Sequence, residues 1–175
     1  MTSHLHSDTV LETERLIMRQ PRKDDWPAYC AFMETEAARF YRGFRNTLEA
    51  WKSFGTLRWH WECFGFGPWA LTKKGNDACI GIVGPKQPPN QPDGDLMWIV
   101  FGEAEGKGYA TEAAKAARAD AYDRLGWTGI VSFIEDANTR SIALAKRLGA
   151  KLDPDTYSPD QMEQAWRHPG PRENL

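Results

Sequence analysis

The chain has 175 residues, a length that suits one domain with a single hydrophobic core. Its net charge of -2, from 22 basic and 24 acidic side chains, gives no sign that the surface as a whole binds nucleic acid. The longest uninterrupted apolar run, residues 96–101, is far shorter than the roughly 20 residues that cross a bilayer, so we expect no membrane partner.

The cysteines and the N-terminal segment favour a protein of the reducing cytoplasm. Cys30, Cys63 and Cys79 are odd in number and widely spaced, which argues against a disulfide framework and against a zinc site. We therefore expect no metal. Residues 1–11 lack the basic start and apolar stretch of a secretory signal. We expect them to be a flexible lead-in to a single domain that spans residues 1–175.

Periodicity and turn residues predict a strand, two helices and a hairpin in the N-terminal half. In chain order these are a strand at 16–19, helices at 26–35 and 47–63, and hairpin strands at 69–72 and 79–83 around a Gly/Asn/Asp turn. Asp24 or Asp25 can cap the first helix, and Thr47 can cap the second. We expect one side of the second helix to carry Leu48, Trp51, Phe54 and Leu57 or Arg58.

Strands alternate with helices in the C-terminal half. A loop at 84–94, with four prolines, is followed by a buried strand at 95–101, a Gly-rich turn, a helix at 109–125 and a strand at 128–134. Asn138 caps a last helix, which ends at Leu148 before Gly149. One or two edge strands follow around residues 162–167. This order predicts a mixed α/β fold rather than a doubly wound one.

The Gly-x-Gly turn that opens the helix at 109 predicts an anion site. The first N–H groups of a helix have no internal partners and carry partial positive charge, so a pyrophosphate fits there. Gly106 and Gly108 lack the Cβ atoms that would hold a phosphate away, and Lys107 can add charge at the rim. The turn alone is also typical of an ordinary strand–turn–helix. It is not the dinucleotide fingerprint, because Thr111 replaces the third glycine.

Four segments resemble, in order and spacing, the GNAT N-acetyltransferase superfamily, and within it the branch of ribosomal-protein N-terminal acetyltransferases. They are TERLIMRQPRKDDW from Thr13, ACIGIVG from Ala78, DLMWIV from Asp95 with EGKGYATEA from Glu105, and IVSFIEDANTRSIALAKRLGAK from Ile130. Together they cover most of residues 13–152. The resemblance implies a mostly antiparallel central sheet of about six or seven strands, with helices on both faces. It also implies a cleft where the parallel strands at 95–101 and 128–134 splay apart.

The resemblance further implies that acetyl-CoA binds in this cleft. Trp98 and Val100 would lie on the strand whose backbone pairs with the pantetheine arm and faces the acetyl carbonyl. Asn138 would hydrogen-bond the pantetheine from the other side, and Ser141 would lie near the thioester sulfur. The residues implied to present main-chain amides to the pyrophosphate are Gly106, Lys107, Gly108, Tyr109, Ala110 and Thr111.

Two positions depart from the superfamily pattern. Glu105 stands where the superfamily usually has Arg or Gln, which puts an acid near the phosphates; we expect its side chain to point away and cofactor binding to be weaker. Ala145 stands where many members carry a tyrosine that protonates the departing thiolate. Ser141 or a water would serve instead, or the thiolate leaves unassisted.

The expected reaction is direct attack of a primary amine, of a small molecule or a peptide N-terminus, on the thioester in a ternary complex. A base must take a proton from the amine, and the N–H near Val100 is placed to stabilise the oxyanion. Acidic and histidine side chains near the implied site are the candidate bases, although each is also typical of a solvated surface group. They are Glu135, Glu103, Asp95, His60 and Glu62.

Aromatic residues cluster between residues 51 and 69, and we interpret most of them as core packing. Alternatively, Trp59, Trp61 or Phe66 lines an acceptor pocket or a dimer surface, and both a monomer and a homodimer remain open. Two other functions also stay open: a non-catalytic acyl-CoA sensor or scaffold, and nucleotide binding at the glycine turn. Thiol release from acetyl-CoA distinguishes the enzyme from the sensor.

Overall fold

The structure, a computed structural model, describes residues 9–41, 46–88, 91, 93–158 and 163–171. The strands are β1 Leu11–Glu12, β2 Leu16–Arg19, β3 Trp69–Lys73, β4 Asn76–Lys86, β5 Gly94–Val100, β6 Ile130–Ile134, β7 Lys151–Tyr157 and β8 Gln164–Arg167. The α-helices are α1 Trp26–Met33, α2 Thr47–Phe64, α3 Tyr109–Asp123 and α4 Thr139–Arg147. No helix among the described residues is long and apolar enough to span a membrane.

All eight strands form one sheet in the order β1-β2-β3-β4-β5-β6-β8-β7. Every neighbouring pair is antiparallel except β5 and β6, which are parallel. The predicted mixed, mostly antiparallel fold is therefore confirmed. The C-terminal tail differs in one respect: β8 lies inside the sheet, between β6 and β7, and only β7 forms the edge. Residue 162, in the predicted tail strand, lies outside the described residues.

Side chains that alternate along the central strands form a core on each face of the sheet. On one face, Leu71 and Leu96 pack with α3, whose buried alanines allow the helix to approach the sheet closely. On the other face, Ile82 and Ile99 pack with α1 and α2. The helices therefore cover both faces, as predicted.

The bounds of two predicted elements needed correction. Asn46, rather than Thr47, caps α2, because its side chain accepts a hydrogen bond from the Glu49 N–H. The predicted apolar side of α2 was correct for Phe54 and Leu57, which are buried, and wrong for Leu48 and Trp51, which are 58% and 62% exposed. Apolar residues lie on two faces of this helix, so periodicity alone identified only part of the face that packs on the sheet.

The predicted loop at 84–94 begins later than expected, because β4 continues through Pro85 to Lys86. The last β4 residue that pairs with β3 is Val83, opposite Trp69, whereas Pro85 pairs only with Leu96 of β5. A proline lacks an N–H and is tolerated where a strand has a neighbour on one side only.

The parallel strands β5 and β6 pair at only two positions. Gly94 lies opposite Ile130 and Asp95 opposite Val131, after which the strands separate. The predicted splay between these strands is therefore present, and it opens the cleft that holds the candidate site.

Candidate active site

A cavity of about 1760 Å³ opens at the splay between β5 and β6. One part is bordered by the first turns of α3 and α4. The other part extends between β5 and the segments around α1 and α2, where Phe32, Phe40 and Tyr41 contribute aromatic side chains. A volume of this size exceeds that of a pocket for one drug-sized molecule, so it has room for two ligands side by side.

The predicted phosphate-binding turn has the geometry of an open helix N-terminus. Gly106 and Gly108 have φ angles of 73° and 82°, in the left-handed region that favours glycine. Gly108 is the N-cap of α3, and no side chain caps the helix there. The first N–H groups of α3 are therefore available to an anion. Except for Lys107, the implied amide-donating residues of this turn all line the cavity.

Glu105, the acid expected to disfavour phosphate, is held by an arginine from across the cleft. Its Oε2 atom accepts a hydrogen bond from Nη2 of Arg140, at the start of α4, at 2.7 Å. The ion pair places the Arg140 guanidinium beside the turn. The sequence interpretation missed this cation. The repulsion expected from Glu105 is therefore reduced by a neighbour on another element.

The first turn of α4 holds two of the predicted site residues in a connected arrangement. The Asn138 side chain accepts a hydrogen bond from the Ser141 N–H at 3.1 Å, which confirms Asn138 as the helix cap. The indole N–H of Trp98 donates to Ser141 Oγ at 3.2 Å. All three residues line the cavity. Since Ser141 Oγ accepts this bond, its own proton can be directed to an acceptor in the cavity.

A chain of buried polar groups lies where β5 and β6 part. Ser132 Oγ donates to the Leu96 carbonyl at 2.6 Å, one residue beyond the last paired position. His168 Nε2 lies 2.9 Å from Ser132 Oγ, and Arg118 Nη1 lies 3.3 Å from His168 Nδ1. Arg118 also donates to the Leu148 carbonyl at the end of α4, at 2.6 Å. The chain thus joins both strands of the splay to α3 and α4.

This environment keeps His168 neutral. Burial, followed by the positive charge of Arg118, lowers the pKa of His168 to about 3. Because Ser132 donates its only proton to Leu96, His168 must donate from Nε2, and its Nδ1 accepts from Arg118. Nothing in the local sequence indicated this row of polar groups, because its members are far apart in the polypeptide.

The five candidate bases divide into two groups. Glu135 and Asp95 line the cavity, whereas Glu103, His60 and Glu62 do not. Asp95 is buried and forms an ion pair with Lys86 Nζ at 3.0 Å.

The other candidates are exposed or have structural partners. Glu103 is exposed in a short turn after β5, and Glu62 pairs with Arg58. His60 Nδ1 lies 2.7 Å from the Phe66 carbonyl, and its Nε2 accepts from the Gln87 N–H. Burial lowers the pKa of His60, which keeps it neutral. Glu135, half-buried at the end of β6, is therefore the best-placed candidate.

The three aromatic residues considered for the acceptor pocket lie outside the cavity lining. Trp61 is a core residue whose indole N–H donates to the Pro68 carbonyl at 2.9 Å, in agreement with the core-packing interpretation. Phe66 packs edge-on against Trp127, and Trp59 is 52% exposed. The aromatic side chains in the part of the cavity near α1 and α2 come instead from residues 32–41. The sequence showed no clear pattern in this stretch after the first predicted helix.

The fold and the cleft define an acetyltransferase. Residues 15–151 match the family described as acetyltransferase (GNAT) domain, and the chain belongs to this family. Among the described residues, no cluster of His, Cys, Asp or Glu side chains is arranged to hold a metal ion.

Solved structures support this assignment. An acetyltransferase from Agrobacterium tumefaciens str. C58 is 32% identical, with a TM-score of 0.88, and the match covers 93% of this chain and 95% of that one. A GNAT-family acetyltransferase from Bacillus anthracis shares the fold at 15% identity, with a TM-score of 0.72 over 91% of this chain and 96% of that one. RimL, a ribosomal L7/L12 alpha-N-protein acetyltransferase, does so at 13% identity and a TM-score of 0.71, over 96% and 97%. The predicted branch is consistent with these neighbours.

Proposed function

We propose that this protein is an N-acetyltransferase that transfers the acetyl group of acetyl-CoA to a primary amine by direct attack in a ternary complex. One observation carries the proposal: a single cavity connects the open N-terminus of α3, the splay between β5 and β6, and an aromatic-lined acceptor side. These three parts match, in order, a diphosphate, an extended amide-containing arm and an acceptor.

The residues present fit acetyl-CoA, which supplies an activated thioester when bound. The main-chain amides of residues 106–111 would hold the diphosphate. The backbone of β5 around Trp98, which has no strand partner on the β6 side, would accompany the pantetheine arm. Asn138 would contact the same arm from the α4 side, through the side-chain amide protons that the cap leaves unused.

The pairing of β5 directs the N–H of Val100 away from β4, to the side where the reacting carbonyl would lie. The next N–H along the strand, that of Phe101, donates to the Ile80 carbonyl on the β4 side at 2.8 Å. Because successive N–H groups of a strand point to opposite sides, the N–H of Val100 points into the gap left by β6. It is thus placed to stabilise an oxyanion.

Two side chains would move protons. Glu135 would accept a proton from the amine, because it is the cavity-lining carboxylate among the candidates that is not committed to an ion pair with Lys86. Ser141 would donate its proton to the departing sulfur, since the Trp98 N–H already satisfies one of its lone pairs. Ala145 offers no acid, which leaves this role to Ser141.

An assay of thiol release from acetyl-CoA across a panel of amines tests the proposal. We expect release that depends on the amine, with a preference for acceptors that are apolar or aromatic near the amine, because Phe32, Phe40 and Tyr41 line the acceptor side. A preference for small polyamines would contradict the acceptor assignment. Tight binding of CoA without release above background would instead indicate a sensor, and thermal stabilisation by NAD or ATP rather than CoA would indicate a nucleotide site.

A further inference from the structure

The turn that precedes β2 is clamped to the phosphate-binding turn, although 92 residues separate Arg15 from Lys107. Arg15 Nε and Nη2 each lie 2.7 Å from Oε2 of Glu112, in the first turns of α3. The Arg15 N–H and the Thr13 hydroxyl both donate to the other oxygen of Glu112, at 2.8 Å and 2.5 Å. Arg15 also lies over the ring of Tyr109, 4.6 Å from its centroid.

We call the contacts of Thr13 and Arg15 with Glu112, and of Arg15 with the Lys107 carbonyl, the clamp. The clamp reduces an electrostatic repulsion at the anion site. Glu112 is ionised: burial works to raise its pKa, but hydrogen bonds from Thr13 and Arg15 outweigh burial and hold the pKa below its usual range. A free carboxylate so close to the open N-terminus of α3 would repel a diphosphate. The guanidinium of Arg15 neutralises this carboxylate at the helix end where the anion is expected.

The clamp also fixes a peptide group of the turn. Arg15 Nη1 donates to the Lys107 carbonyl at 3.0 Å. The carbonyl of Lys107 and the N–H of Gly108 belong to one planar trans peptide unit, so they point in opposite directions. Arg15 therefore directs the carbonyl oxygen to itself and the N–H of Gly108 away from itself. Without this bond, the flexible glycine turn could rotate and present a carbonyl oxygen to the phosphates.

We propose that Arg15, held in place by Thr13 and Glu112, is a positioning residue that orients the main-chain amides of residues 106–108 for the diphosphate of the acyl-CoA. This inference rests on the function proposed above, and it assigns a role to Thr13 and Arg15 of the segment TERLIMRQPRKDDW. The side chain of Arg15 acts through the turn and is not assigned a contact with the reacting atoms.

The experiment compares acetyl-CoA with S-acetylpantetheine, which carries the thioester but no diphosphate. We expect Arg15→Gln to raise the Kd of CoA, measured by calorimetry, and the KM of acetyl-CoA by about tenfold, the loss typical of a charge-assisted hydrogen bond. The kcat with acetyl-CoA and the kcat/KM with S-acetylpantetheine should change less than about twofold, because the clamp acts only through the diphosphate.

Arg124→Gln is a matched control at the opposite end of the same helix. Arg124 forms a two-bond ion pair with Asp120, at 2.8 Å and 2.7 Å, and donates to the Gly65 carbonyl at 3.3 Å. It thus makes the same kinds of contact as Arg15, but it lies at the C-terminal end of α3, away from the phosphate-binding turn. We expect Arg124→Gln to leave the kcat/KM values for acetyl-CoA and for S-acetylpantetheine unchanged. Arg15→Lys is used if Arg15→Gln folds poorly. The lysine keeps the positive charge but loses the planar guanidinium that makes several hydrogen bonds at once. We expect it to weaken the use of acetyl-CoA, and not of S-acetylpantetheine, to a smaller extent than Arg15→Gln.

Each remaining outcome contradicts a different statement. If wild-type protein does not bind CoA, the proposed function fails, and this inference fails with it. If the wild type binds CoA and the Arg15 variants bind it equally well, this inference alone is overturned. It is also overturned if the variants weaken turnover of acetyl-CoA and S-acetylpantetheine by the same factor, because that result indicates a general structural role.

Discussion

Helices α3 and α4 both begin at the edge of the cavity, but their first turns are built differently. Gly108 precedes α3 in a left-handed conformation, and no side chain caps the helix. Asn138 precedes α4, and its side chain occupies the Ser141 N–H. The α3 end therefore offers main-chain amides, which suit a group of diffuse negative charge. The α4 end offers directed side-chain contacts, which suit an extended arm and a reacting sulfur.

This difference predicts that chemistry depends most on the α4 side. We expect Ser141→Ala to lower kcat about 100-fold, the lower range for a general acid, with little change in the KM of acetyl-CoA. Trp98→Phe should lower kcat by a smaller factor, because it removes the N–H that holds Ser141 but keeps the Ser141 hydroxyl. Trp166→Phe is the control, since its buried indole nitrogen has no hydrogen-bond partner in the structure. Steady-state kinetics that show an unchanged kcat for Ser141→Ala would exclude Ser141 as the acid and leave a water or unassisted departure of the thiolate.

On the α3 side, Gly108→Val should weaken CoA binding about tenfold or more. A β-branched residue is strained at a φ of 82°, by roughly 1–2 kcal/mol, and the new side chain would meet Arg15. Gly75→Val carries the same strain at a φ of 80°, in the hairpin between β3 and β4, away from the cavity. Calorimetry should show weaker binding for the first variant only. Equal Kd values for the two folded variants would show that the turn is not the phosphate site.

The polar chain that supports the α4 side predicts a pH dependence of stability. Because the pKa of His168 is about 3 in the folded protein and about 6.5 in the unfolded chain, the unfolded chain binds the proton first as the pH falls. The free energy of unfolding should therefore fall by up to about 1.4 kcal/mol per pH unit below pH 6.5. Above that pH, the contribution of His168 to stability should be fully present. His60, whose pKa is also lowered, contributes in the same direction. Urea unfolding at several pH values measures the sum.

Nuclear magnetic resonance of the imidazole nitrogens isolates the contribution of His168. We expect its ring to stay neutral at pH 5, with the proton on Nε2, because Nδ1 accepts from Arg118. A His168 ring that titrates near pH 6.5 in the folded protein would contradict both the assigned tautomer and the predicted loss of stability.

The smallest expected effect concerns the cap itself. Asn138→Ala should lower the free energy of unfolding by about 1 kcal/mol, as usual for a lost N-cap. Asn46→Ala removes the same kind of cap from α2 and should cost a similar amount. Only Asn138→Ala is expected to raise the KM of acetyl-CoA, by a few-fold, because Asn138 lines the cavity. If the two variants change KM equally, Asn138 has no role beyond capping.

Local signals predicted much of this architecture. The Gly-x-Gly turn, the Asn138 cap and the apolar strand that became β5 can each be recognised within a few residues, because backbone freedom, capping and burial are local properties. The splay itself followed from the family resemblance.

The contacts that join distant segments could not be predicted in this way. Ser132 and His168 are separated by 36 residues, and Arg15 and Glu112 by 97. No periodicity or turn rule connects such pairs, because they meet only after the sheet is complete. The position of β8 between β6 and β7 is of the same kind, and it is what brings His168 beneath the splay.

Because β5 and β6 pair at only two positions, the sheet consists of two parts, or wings: the five strands β1 to β5, and the three strands β6, β8 and β7. The hydrogen bonds of the backbone do little to hold these wings at a fixed angle. A molecule that lies in the gap and forms hydrogen bonds with both β5 and β6 replaces the missing strand pairing. The angle between the two parts of the sheet then depends on whether that molecule is bound. Amide hydrogen exchange in β5 and β6 should therefore slow markedly when CoA is added.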